Sequence, residues 1–482
     1  MRKFFFAALA MAAALAGCKP AVCPVLDIEG GKIQGVETAA KGVYVFKGIP
    51  FAAPPVGELR WKEPQPVVPW EGVKVADTYG PGAMQAPHDS SNPWTSEFYW
   101  QDPEFSEDCL YLNVFTPAPG KPGKALPVAM WIHGGAYTGG WAYEPEFDGK
   151  VWAQKGVVMV TINYRLGIFG FLNHPLLAEE SPNGVSGNYG ILDQIAALRW
   201  IHENIAAFGG DPDNITILGQ SAGAGSVKTL VSSPLTDGLI KKAIIQSGGG
   251  VNLRPAGAPV APVGSQMEMA GNAWKQVFDW AGYDTLEKMR AASTQDIFDL
   301  SNRYRRETGQ FIRVTTSPVV DGYAYPETFA QAAQAGRIAD VPYMIGSTLD
   351  DMGMLANGID NFCFLREDAG KDAFAYQFAR RLPTDGRSGV LQGAFHSSEL
   401  WFMFKSLRFC WRPFTPGDYD LAEQMITRWT NFSKYGNPNK PGDSSWTPFT
   451  RENPKYMVFK LDDSDKVASG MGDRVVADPL PR

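Results

Sequence analysis

The sequence predicts an α/β fold in which a central, mostly parallel, twisted sheet carries helices on both faces. Continuous apolar runs such as 156–163 and 215–218 are typical of parallel strands that are buried on both faces. These runs alternate with helix-length segments such as 188–208, and strands that alternate with helices build parallel sheets. The sequence shows no internal repeat and no domain linker, so we expect one domain over 31–482.

The composition indicates a large globular chain. Of the 482 residues, 44% are hydrophobic and 12% are aromatic, which is enough for an extensive core. The formal net charge is −7, and no run of lysine and arginine exceeds a few residues. Both features argue against nucleic acid as a partner, because binding to phosphates needs clustered positive charge.

The first predicted elements are short strands over 31–75. Runs such as 42–46 have strand character and are separated by prolines, so we expect a small antiparallel edge here. The core strands that follow are apolar and rich in β-branched residues. We place them at 110–115, 126–132, 156–163, 215–218, 242–246 and 342–346.

Helices are predicted where apolar residues recur every three or four positions. In 188–208 five isoleucine and leucine residues share one face, and Gly209-Gly-Asp-Pro212 ends the helix. A second helix is expected at 224–231. Two further helices, at 267–289 and 294–302, predict a helical cap or insertion.

The segment 86–105 predicts a long loop, because it is rich in serine, proline and aromatic residues. Loops of this length tend to be functional. Its aromatic residues could simply pack within the loop, or they could form a wall of a binding site with aromatic residues near position 400. The candidates for this wall are Trp94, Phe98, Tyr99, Trp100, Phe395, Trp401 and Phe402.

The N-terminus predicts an export signal over 1–17. A basic start is followed by the apolar run 4–15 and by Leu15-Ala-Gly-Cys18, and this run is too short to span a bilayer as a helix. The last four residues resemble the bacterial lipobox, which implies cleavage before Cys18 and lipidation of that cysteine. Loss of the signal would change the charge from −7 to −9. We expect a tether over 18–30 and a membrane-anchored exported lipoprotein, with a cleaved periplasmic or secreted form as the alternative.

Ser221 is the candidate nucleophile. The apolar run 215–218 leads into Gly219-Gln-Ser-Ala-Gly223, and a helical segment follows. A strand, a sharp turn with Gly-x-Ser-x-Gly and a helix form the context of a nucleophile elbow, in which the next backbone N–H, that of Ala222, faces the developing oxyanion. Taken alone, the motif could equally be a turn of small residues.

A serine hydroxyl needs a base, and the chain has five histidines to supply it. His133 opens His-Gly-Gly-Ala136 directly after a strand, which is typical of an oxyanion loop. His396 follows both the serine and a pair of aspartates in the chain, so we expect it to be the base. The remaining histidines are His88, His174 and His202, which we place in two loops and on a helix surface.

Two adjacent carboxylates, Asp350 and Asp351, are the candidates for the acid that holds the base. They come directly after the predicted strand at 342–346. The carboxyl ends of strands are where α/β sheets place their chemistry.

With these residues in view, the chain resembles the type-B carboxylesterases, a family that includes bacterial para-nitrobenzyl esterases, liver carboxylesterases and cholinesterases. The resemblance covers nearly all of the mature chain. It rests on the segments 46–57, 106–113, 131–136, 163–167, 188–194, 208–212, 219–223, 246–248 and 318–322.

The resemblance implies an α/β-hydrolase fold and hydrolysis of carboxylic esters through an acyl-enzyme, without a metal or another cofactor. It implies Ser221 as nucleophile, His396 as base and Asp351 as acid, with Asp350 as the second choice. It also implies that the N–H groups of three residues form the oxyanion hole and that one serine supports the acid. The oxyanion hole would be formed by the N–H groups of Gly135, Ala136 and Ala222. The serine that supports the acid would be Ser247.

The sequence departs from the family pattern in three places. Ala136 stands where many relatives have a third glycine. Cys109 lacks its usual upstream partner, because 79–85 contains no cysteine. Only 45 residues separate Asp351 from His396, which implies a trimmed helical cover and a more open site.

Four cysteines follow Cys18, namely Cys23, Cys109, Cys363 and Cys410. In an oxidising compartment they allow three full pairings, among which the sequence does not choose. We expect Cys363 to pair with Cys410, because their segments bracket His396.

Several functional readings stay open. Some relatives with this fold are non-catalytic binding proteins, and an amidase or a thioesterase would use the same residues. The substrate is expected to be a small or medium ester, and the aromatic candidates suggest hydroxycinnamoyl (feruloyl-type) esters. We expect a small-molecule ester and no nucleic acid as partner, contact with a membrane only through the N-terminal lipid anchor, and we favour a monomer.

Overall fold

The computed structural model describes residues 23–89, 91–98, 101–253, 262–312, 314–353 and 355–476. The expected signal 1–17, the lipidation site Cys18, and two of the aromatic candidates, Tyr99 and Trp100, lie outside the described residues. Within the described ranges, no helix is both long enough and apolar enough to cross a bilayer.

Strands occur from the start of the described chain. The described residues form strands β1 (Val25–Ile28), β2 (Gly31–Gln34), β3 (Val36–Glu37), β4 (Tyr44–Pro50), β5 (Val73–Val75), β6 (Gly82–Ala83), β7 (Phe105–Ser106), β8 (Tyr111–Thr116), β9 (Leu126–Ile132), β10 (Val158–Ile162), β11 (Gly210–Gln220), β12 (Lys242–Gln246), β13 (Tyr343–Thr348), β14 (Ala373–Phe378), β15 (Tyr456–Phe459) and β16 (Gly470–Gly472).

An eleven-stranded sheet forms the centre of the molecule, in the order β16-β15-β14-β13-β12-β11-β9-β10-β8-β4-β3. From β10 to β15 every neighbouring pair is parallel. At the two edges, the pairs of β8 with β10, β4 with β8, β3 with β4 and β15 with β16 are antiparallel. The prediction of a mostly parallel central sheet is therefore confirmed.

The N-terminal part of the chain differs from its prediction in two ways. The tether expected over 18–30 is too long, because the folded body begins earlier. Cys23 is already buried, and β1 pairs with β2. The expected antiparallel edge over 31–75 is in fact divided between two sheets. β4 pairs with β8 in the central sheet, while β1, β2 and β5 form a small mixed sheet in which β2 and β5 are parallel.

Helices connect the strands. The described helices are α1 (Pro93–Phe98), α2 (Lys150–Gln154), α3 (Gly167–Phe171), α4 (Pro175–Glu180), α5 (Tyr189–Asn204), α6 (Ala222–Leu230), α7 (Ser265–Trp280), α8 (Leu286–Ala291), α9 (Thr294–Phe298), α10 (Leu300–Thr308), α11 (Phe329–Gln334), α12 (Ala356–Asp368), α13 (Leu400–Met403) and α14 (Pro416–Tyr435).

Helices cover both faces of the sheet, and the alternation of side chains along β9 shows how. Val128, Met130 and Ile132 point into one apolar cluster, which also contains buried residues of α5, α6 and α11. Ala129 and Trp131 point into a second cluster, with residues of α2, α13 and α14. Because successive side chains of a strand face opposite ways, one apolar strand serves both cores.

The insertion predicted over 267–302 forms a third, separate apolar cluster. Residues of α7 to α10 pack there against Trp61 and α3. The single helix predicted over 267–289 is wrong, because α7 ends at Trp280 and α8 begins at Leu286. Between them Gly282 has a φ of +80°, and Thr285 caps α8 by accepting a hydrogen bond from the N–H of Lys288.

The expected Cys363–Cys410 disulfide is wrong, because all four described cysteines are free. Cys363 lies on α12 in the first of the two sheet-face clusters. Cys410 packs beside the cluster on the opposite face, and its thiol contacts Glu97 at 3.8 Å. The two thiols are therefore on different sides of the sheet. Cys109, which lacks the upstream partner usual in the family, is a buried free thiol.

The topology brings the predicted site residues to one edge of the sheet. His133 directly follows β9, Ser221 directly follows β11, and Asp351 lies three residues beyond β13. These three strands are parallel members of the same sheet, so their carboxyl ends meet at one edge.

Candidate active site

Ser221 sits on a strained turn between β11 and α6. Its φ of +58° and ψ of −121° are uncommon for a residue with a side chain. The turn needs the flanking glycines, since a Cβ on Gly223 would lie 2.1 Å from the carbonyl oxygen of Ile132. The N–H of Ser221 donates to the carbonyl of Gln246 at 2.9 Å, which ties the turn to β12. This is the elbow geometry that the sequence predicts.

His396 and Asp351 form a buried pair. Nδ1 of His396 lies 2.5 Å from Oδ1 of Asp351, and the two side chains are 7% and 4% exposed. Burial by itself would raise the pKa of Asp351, but the hydrogen bond and charge of His396 and the N–H of Thr348 bring it below its usual value. The ionised carboxylate therefore holds the proton on Nδ1 and leaves Nε2 as the basic nitrogen.

The neighbouring carboxylate has a different environment. Asp350 binds the guanidinium of Arg381 at 3.2 Å and accepts a hydrogen bond from the N–H of Ala394 at 2.8 Å. It is therefore turned to partners other than the imidazole. Of the two candidates left open by the sequence, the structure brings Asp351 to the histidine.

Nε2 of His396 faces the elbow. The side-chain amide nitrogen of Gln220, the residue before Ser221, lies 3.2 Å from it and donates to it in this tautomer. Ser221 and His396 line the same cavity. Sequence reasoning missed Gln220 as a neighbour of the base, although its place inside the serine motif could have indicated it.

The loop after β9 offers free N–H groups to this cavity. Gly135 and Ala136 have φ values of +94° and +55°. The carbonyl of Gly135 accepts the N–H groups of Thr138 and Gly139 at 2.9 and 3.0 Å, which closes the loop into a tight turn. No described acceptor binds the N–H of Gly135 or Ala136.

The third predicted donor lies on the other side of the serine. Ala222 is the first residue of α6, so its N–H has no acceptor within the helix. Gly135 and Ala136 line the same cavity as Ser221, and Ala222 directly follows the serine in the chain.

His133 shapes the oxyanion loop. Burial lowers its pKa to about 4, so its ring stays neutral at physiological pH. Nδ1 donates to the carbonyl of Gly134 at 2.9 Å, and the ring stacks on Tyr164 with 4.5 Å between the ring centres. The hydroxyl of Tyr164 donates to the carbonyl of His133. These contacts hold the backbone of the loop in place.

A second carboxyl lies behind Asp351. Oγ of Ser247 is hydrogen-bonded to Asp351 and lies 3.4 Å from Oε1 of Glu399. Burial, followed by the charge of Asp351, raises the pKa of Glu399 to about 7. Ser247 therefore lies beside Asp351, and its role as the supporting serine stays an expectation from the resemblance. Glu399 was missed, and its position three residues after His396 was the only available indication.

The cavity above Ser221 has a volume of about 490 Å³. Two of the predicted aromatic residues, Trp94 and Phe98, line it. Phe395, Trp401 and Phe402 do not, because they are buried in the core beneath it. Sequence reasoning missed other residues of the wall, among them Trp141, Phe147, Glu144 and Glu146.

Comparison with known proteins finds relatives along nearly the whole chain. The model of the Carboxylesterase family matches residues 22–363 and 354–475. The para-nitrobenzyl esterase of Bacillus subtilis (strain 168) is 40% identical over 90% of this chain and 94% of its own length. The fumonisin B1 esterase of Sphingopyxis macrogoltabida is 32% identical over 93% of this chain and 88% of its own.

Solved structures give the same result. A PNB esterase superposes with a TM-score of 0.74 at 29% identity, over 93% of this chain and 97% of that one. A carboxylesterase of Geobacillus stearothermophilus gives 0.73 at 30% identity with the same coverage. All the relatives named here are esterases, which gives no support to a non-catalytic reading. With its sheet, its strained serine turn and matches along nearly its whole length, the chain belongs to the carboxylesterase family of α/β-hydrolases and is a carboxylesterase.

Proposed function

We propose that the protein hydrolyses carboxylic esters through a Ser221–His396–Asp351 triad and an acyl-enzyme. One observation carries this proposal. The Nδ1 atom of His396 lies 2.5 Å from Asp351, while the same imidazole shares a cavity with Ser221 on its strained turn. A base that is held by an acid beside a projecting hydroxyl is the arrangement that activates serine.

In the first half of the reaction, Oγ of Ser221 attacks the ester carbonyl carbon and its proton passes to Nε2 of His396. The carbonyl oxygen becomes an oxyanion, which the N–H groups of Gly135, Ala136 and Ala222 stabilise. His396 then gives the proton to the departing alcohol oxygen as the C–O bond breaks. Asp351 stabilises the imidazolium that exists between these two transfers.

In the second half, water takes the place of the serine hydroxyl. His396 accepts a proton from water as its oxygen attacks the acyl carbon of the acyl-enzyme. When the tetrahedral intermediate collapses, the bond to Oγ breaks and His396 returns the proton to Ser221. The products are one carboxylic acid and one alcohol, and the enzyme regains its starting protonation.

Replacing Ser221 with alanine tests this assignment with p-nitrophenyl acetate. We expect Ser221→Ala to lower kcat by about 10⁵-fold or more, because the attacking group is lost. Ser464→Ala, at an exposed serine, is the matched control and should keep wild-type turnover. Unchanged hydrolysis by Ser221→Ala would refute the triad.

For the substrate we propose small to medium esters with an aromatic group, such as hydroxycinnamoyl (feruloyl-type) esters. The aromatic side chains of Trp94, Phe98, Trp141 and Phe147 in the cavity wall support this proposal. One relative is itself named for an aromatic ester, para-nitrobenzyl. A panel of acetyl, butyryl, feruloyl and long-chain esters tests the preference, and matched amides and thioesters separate the related activities.

We also propose that the protein is a monomeric, exported lipoprotein anchored through Cys18. The basic start, the apolar run and Leu15-Ala-Gly-Cys18 support this localisation. Incorporation of labelled fatty acid that disappears in Cys18→Ser would support the anchor. Labelling that persists in the variant would contradict it, and the mass of the purified protein in solution tests the monomer.

A further inference from the structure

Two glutamates without a role in the mechanism line the inner wall of the active-site cavity. Glu144 and Glu146 belong to the segment just after the oxyanion loop, around a short 3₁₀ helix at Pro145–Phe147. Their exposed fractions are only 5% and 1%, yet both line the cavity that contains Ser221 and His396. We call these two side chains the Glu144–Glu146 pair.

The pair holds at least one proton, because its two carboxyls are hydrogen-bonded to each other. Two carboxylates cannot make such a bond unless one of them is protonated. Burial supports this state, since it raises the pKa of Glu144 to about 7 and the pKa of Glu146 well above its usual value. The pair therefore carries less charge than two free carboxylates at neutral pH.

The protein does not donate a hydrogen bond to every carboxyl oxygen of the Glu144–Glu146 pair. The N–H of Trp141 donates to Oε1 of Glu144 at 2.8 Å. No N–H or O–H group of the described residues donates to Oε2 of Glu146, although this atom is buried. Arg412, the buried guanidinium of this region, is already bound to both carboxylate oxygens of Glu97. A buried acceptor that lacks a donor is costly, so a bound molecule that supplies a donor would gain affinity.

The surroundings indicate what kind of molecule this is. Trp94, Phe98 and Phe147 line the same cavity and offer flat apolar surfaces to an aromatic ring. Asp89 and Asp102 also line the cavity. At the pair itself, however, a cation would have to leave water, and the shared proton has already reduced the attraction for it. A neutral hydroxyl loses much less hydration and can donate directly to a carboxyl oxygen.

We propose that the Glu144–Glu146 pair binds a hydroxyl group of the substrate, so that the enzyme prefers esters with a hydroxyl on the aromatic group in the cavity. This inference rests on the proposed ester hydrolysis and names its substrate class, which is hydroxyaryl esters. Glu146 accepts the hydroxyl hydrogen, and Glu144 keeps the carboxyl of Glu146 in place through the shared proton. Both act on specificity and not on the reacting atoms.

The test is a ratio of specificity constants. Methyl 4-hydroxycinnamate and methyl cinnamate differ only in the hydroxyl, so the ratio of their kcat/KM values measures its recognition. We expect a ratio of at least about 10 for the wild type, because a site built to bond a hydroxyl rejects the analogue that lacks it. In Glu146→Leu the ratio should fall to within about twofold of 1, since leucine accepts no hydrogen bond. Glu146→Gln keeps an acceptor and should give an intermediate ratio.

A loss of active enzyme lowers both kcat/KM values of a variant by the same factor, so it does not change their ratio. Glu179→Gln, at an exposed glutamate outside the cavity, is the matched control and should keep the wild-type ratio. Thermal unfolding of each variant shows whether it is folded.

The outcomes separate this inference from the proposed function. If the wild type hydrolyses p-nitrophenyl acetate through Ser221 but the ratio is near 1, the inference fails and the triad stands. A wild-type ratio that survives in Glu146→Leu overturns it as well, as does stronger preference for a 4-trimethylammonio ester than for the hydroxy ester. If p-nitrophenyl acetate is not hydrolysed, or is hydrolysed equally by Ser221→Ala, the proposed function itself fails.

Discussion

Asp351 and Asp350 are adjacent carboxylates with different partners. Asp351 holds His396, whereas Asp350 holds Arg381 and the N–H of Ala394. An asparagine at 351 could present its amide N–H to Nδ1 and so favour the tautomer in which Nε2 is protonated. A single-atom change at each position therefore tests which carboxyl serves the base.

We expect Asp351→Asn to lower kcat for p-nitrophenyl acetate by about 10³- to 10⁴-fold, because the base then carries its proton on the wrong nitrogen. Asp350→Asn is the matched control and should cost less than about tenfold, because it weakens only an ion pair and a loop contact. Steady-state kinetics of both variants, with thermal unfolding as a check of folding, measures the difference. Equal losses in the two variants would contradict the assignment.

Glu399 is a buried acid whose titration is coupled to folding. Burial raises its pKa to about 7 in the folded protein, against an unfolded value near 4.5. Between these values the folded state binds more protons than the unfolded state, so this group makes stability fall as the pH rises. The stability that it contributes is present below about pH 4.5 and is lost by about pH 7. Its size is on the order of 3 kcal/mol.

We therefore expect Glu399→Gln, which imitates the protonated acid, to be more stable than the wild type at pH 8. The advantage should shrink towards pH 5, where the wild-type acid is itself neutral. Chemical unfolding of both proteins at the two pH values measures this difference, and the other titrating groups cancel because they are common to both proteins. A difference that does not depend on pH would show that Glu399 does not titrate in this range.

At the scale of elements, the strained turn depends on how closely α6 approaches β9. A Cβ at position 223 would lie 2.1 Å from the carbonyl oxygen of Ile132 and 2.9 Å from that of His133. Both atoms belong to the backbone, so the helix and the strand have to separate to admit a methyl group. The oxyanion loop begins at His133, and the same shift would displace its N–H groups from the serine.

We expect Gly223→Ala to lower stability by about 1–3 kcal/mol and to reduce kcat/KM strongly as well. Gly123→Ala is the matched control, because a Cβ there would meet no heavy atom within 4 Å. Unfolding curves and p-nitrophenyl acetate kinetics measure the two effects. A fully active and stable Gly223→Ala would mean that this contact does not hold the turn.

Elements differ in how far the sequence predicts them, and the difference follows from what stabilises each one. The strands β9 to β13 were predicted because their own side chains are apolar on both faces, whatever their neighbours are. The break between α7 and α8 at Gly282 and the pairing of β4 with β8 were not predicted, because they depend on partners that are distant in sequence. The same holds for β14 and α14, which the sequence analysis did not place.

The residues of the site also differ in whether the sequence predicts them. Ser221, His396 and Asp351 were predicted because they lie in motifs or follow strands. The structure pairs His396 with Asp351 and places Ser221 and His396 in the wall of one cavity. Glu399 and the Glu144–Glu146 pair were missed, because nothing in their own residue type tells a buried glutamate from an exposed one. Their raised pKa values arise only from the fold around them.

At the scale of the whole molecule, the four described cysteines report on global unfolding. Cys23, Cys109 and Cys363 are buried, and Cys410 is half-buried. Burial raises the pKa of Cys23 to about 11 and that of Cys410 to about 12, and raises the pKa values of the other two as well. Only the thiolate reacts rapidly with disulfide reagents, so these thiols are protected twice, by low access and by low ionisation.

We expect the folded protein to react slowly with Ellman's reagent at pH 8 at all four of these positions, and the denatured protein to react at all four at once. A reductant should leave the unfolding temperature unchanged, because the structure contains no disulfide among these cysteines. Cys363→Ser and Cys410→Ser identify the contribution of each thiol to the count. Two missing thiols in the denatured, unreduced protein, together with a lower unfolding temperature in reductant, would mean that Cys363 and Cys410 pair after all. That pairing would require α12 and the segment after α13 to reach across the sheet that separates them.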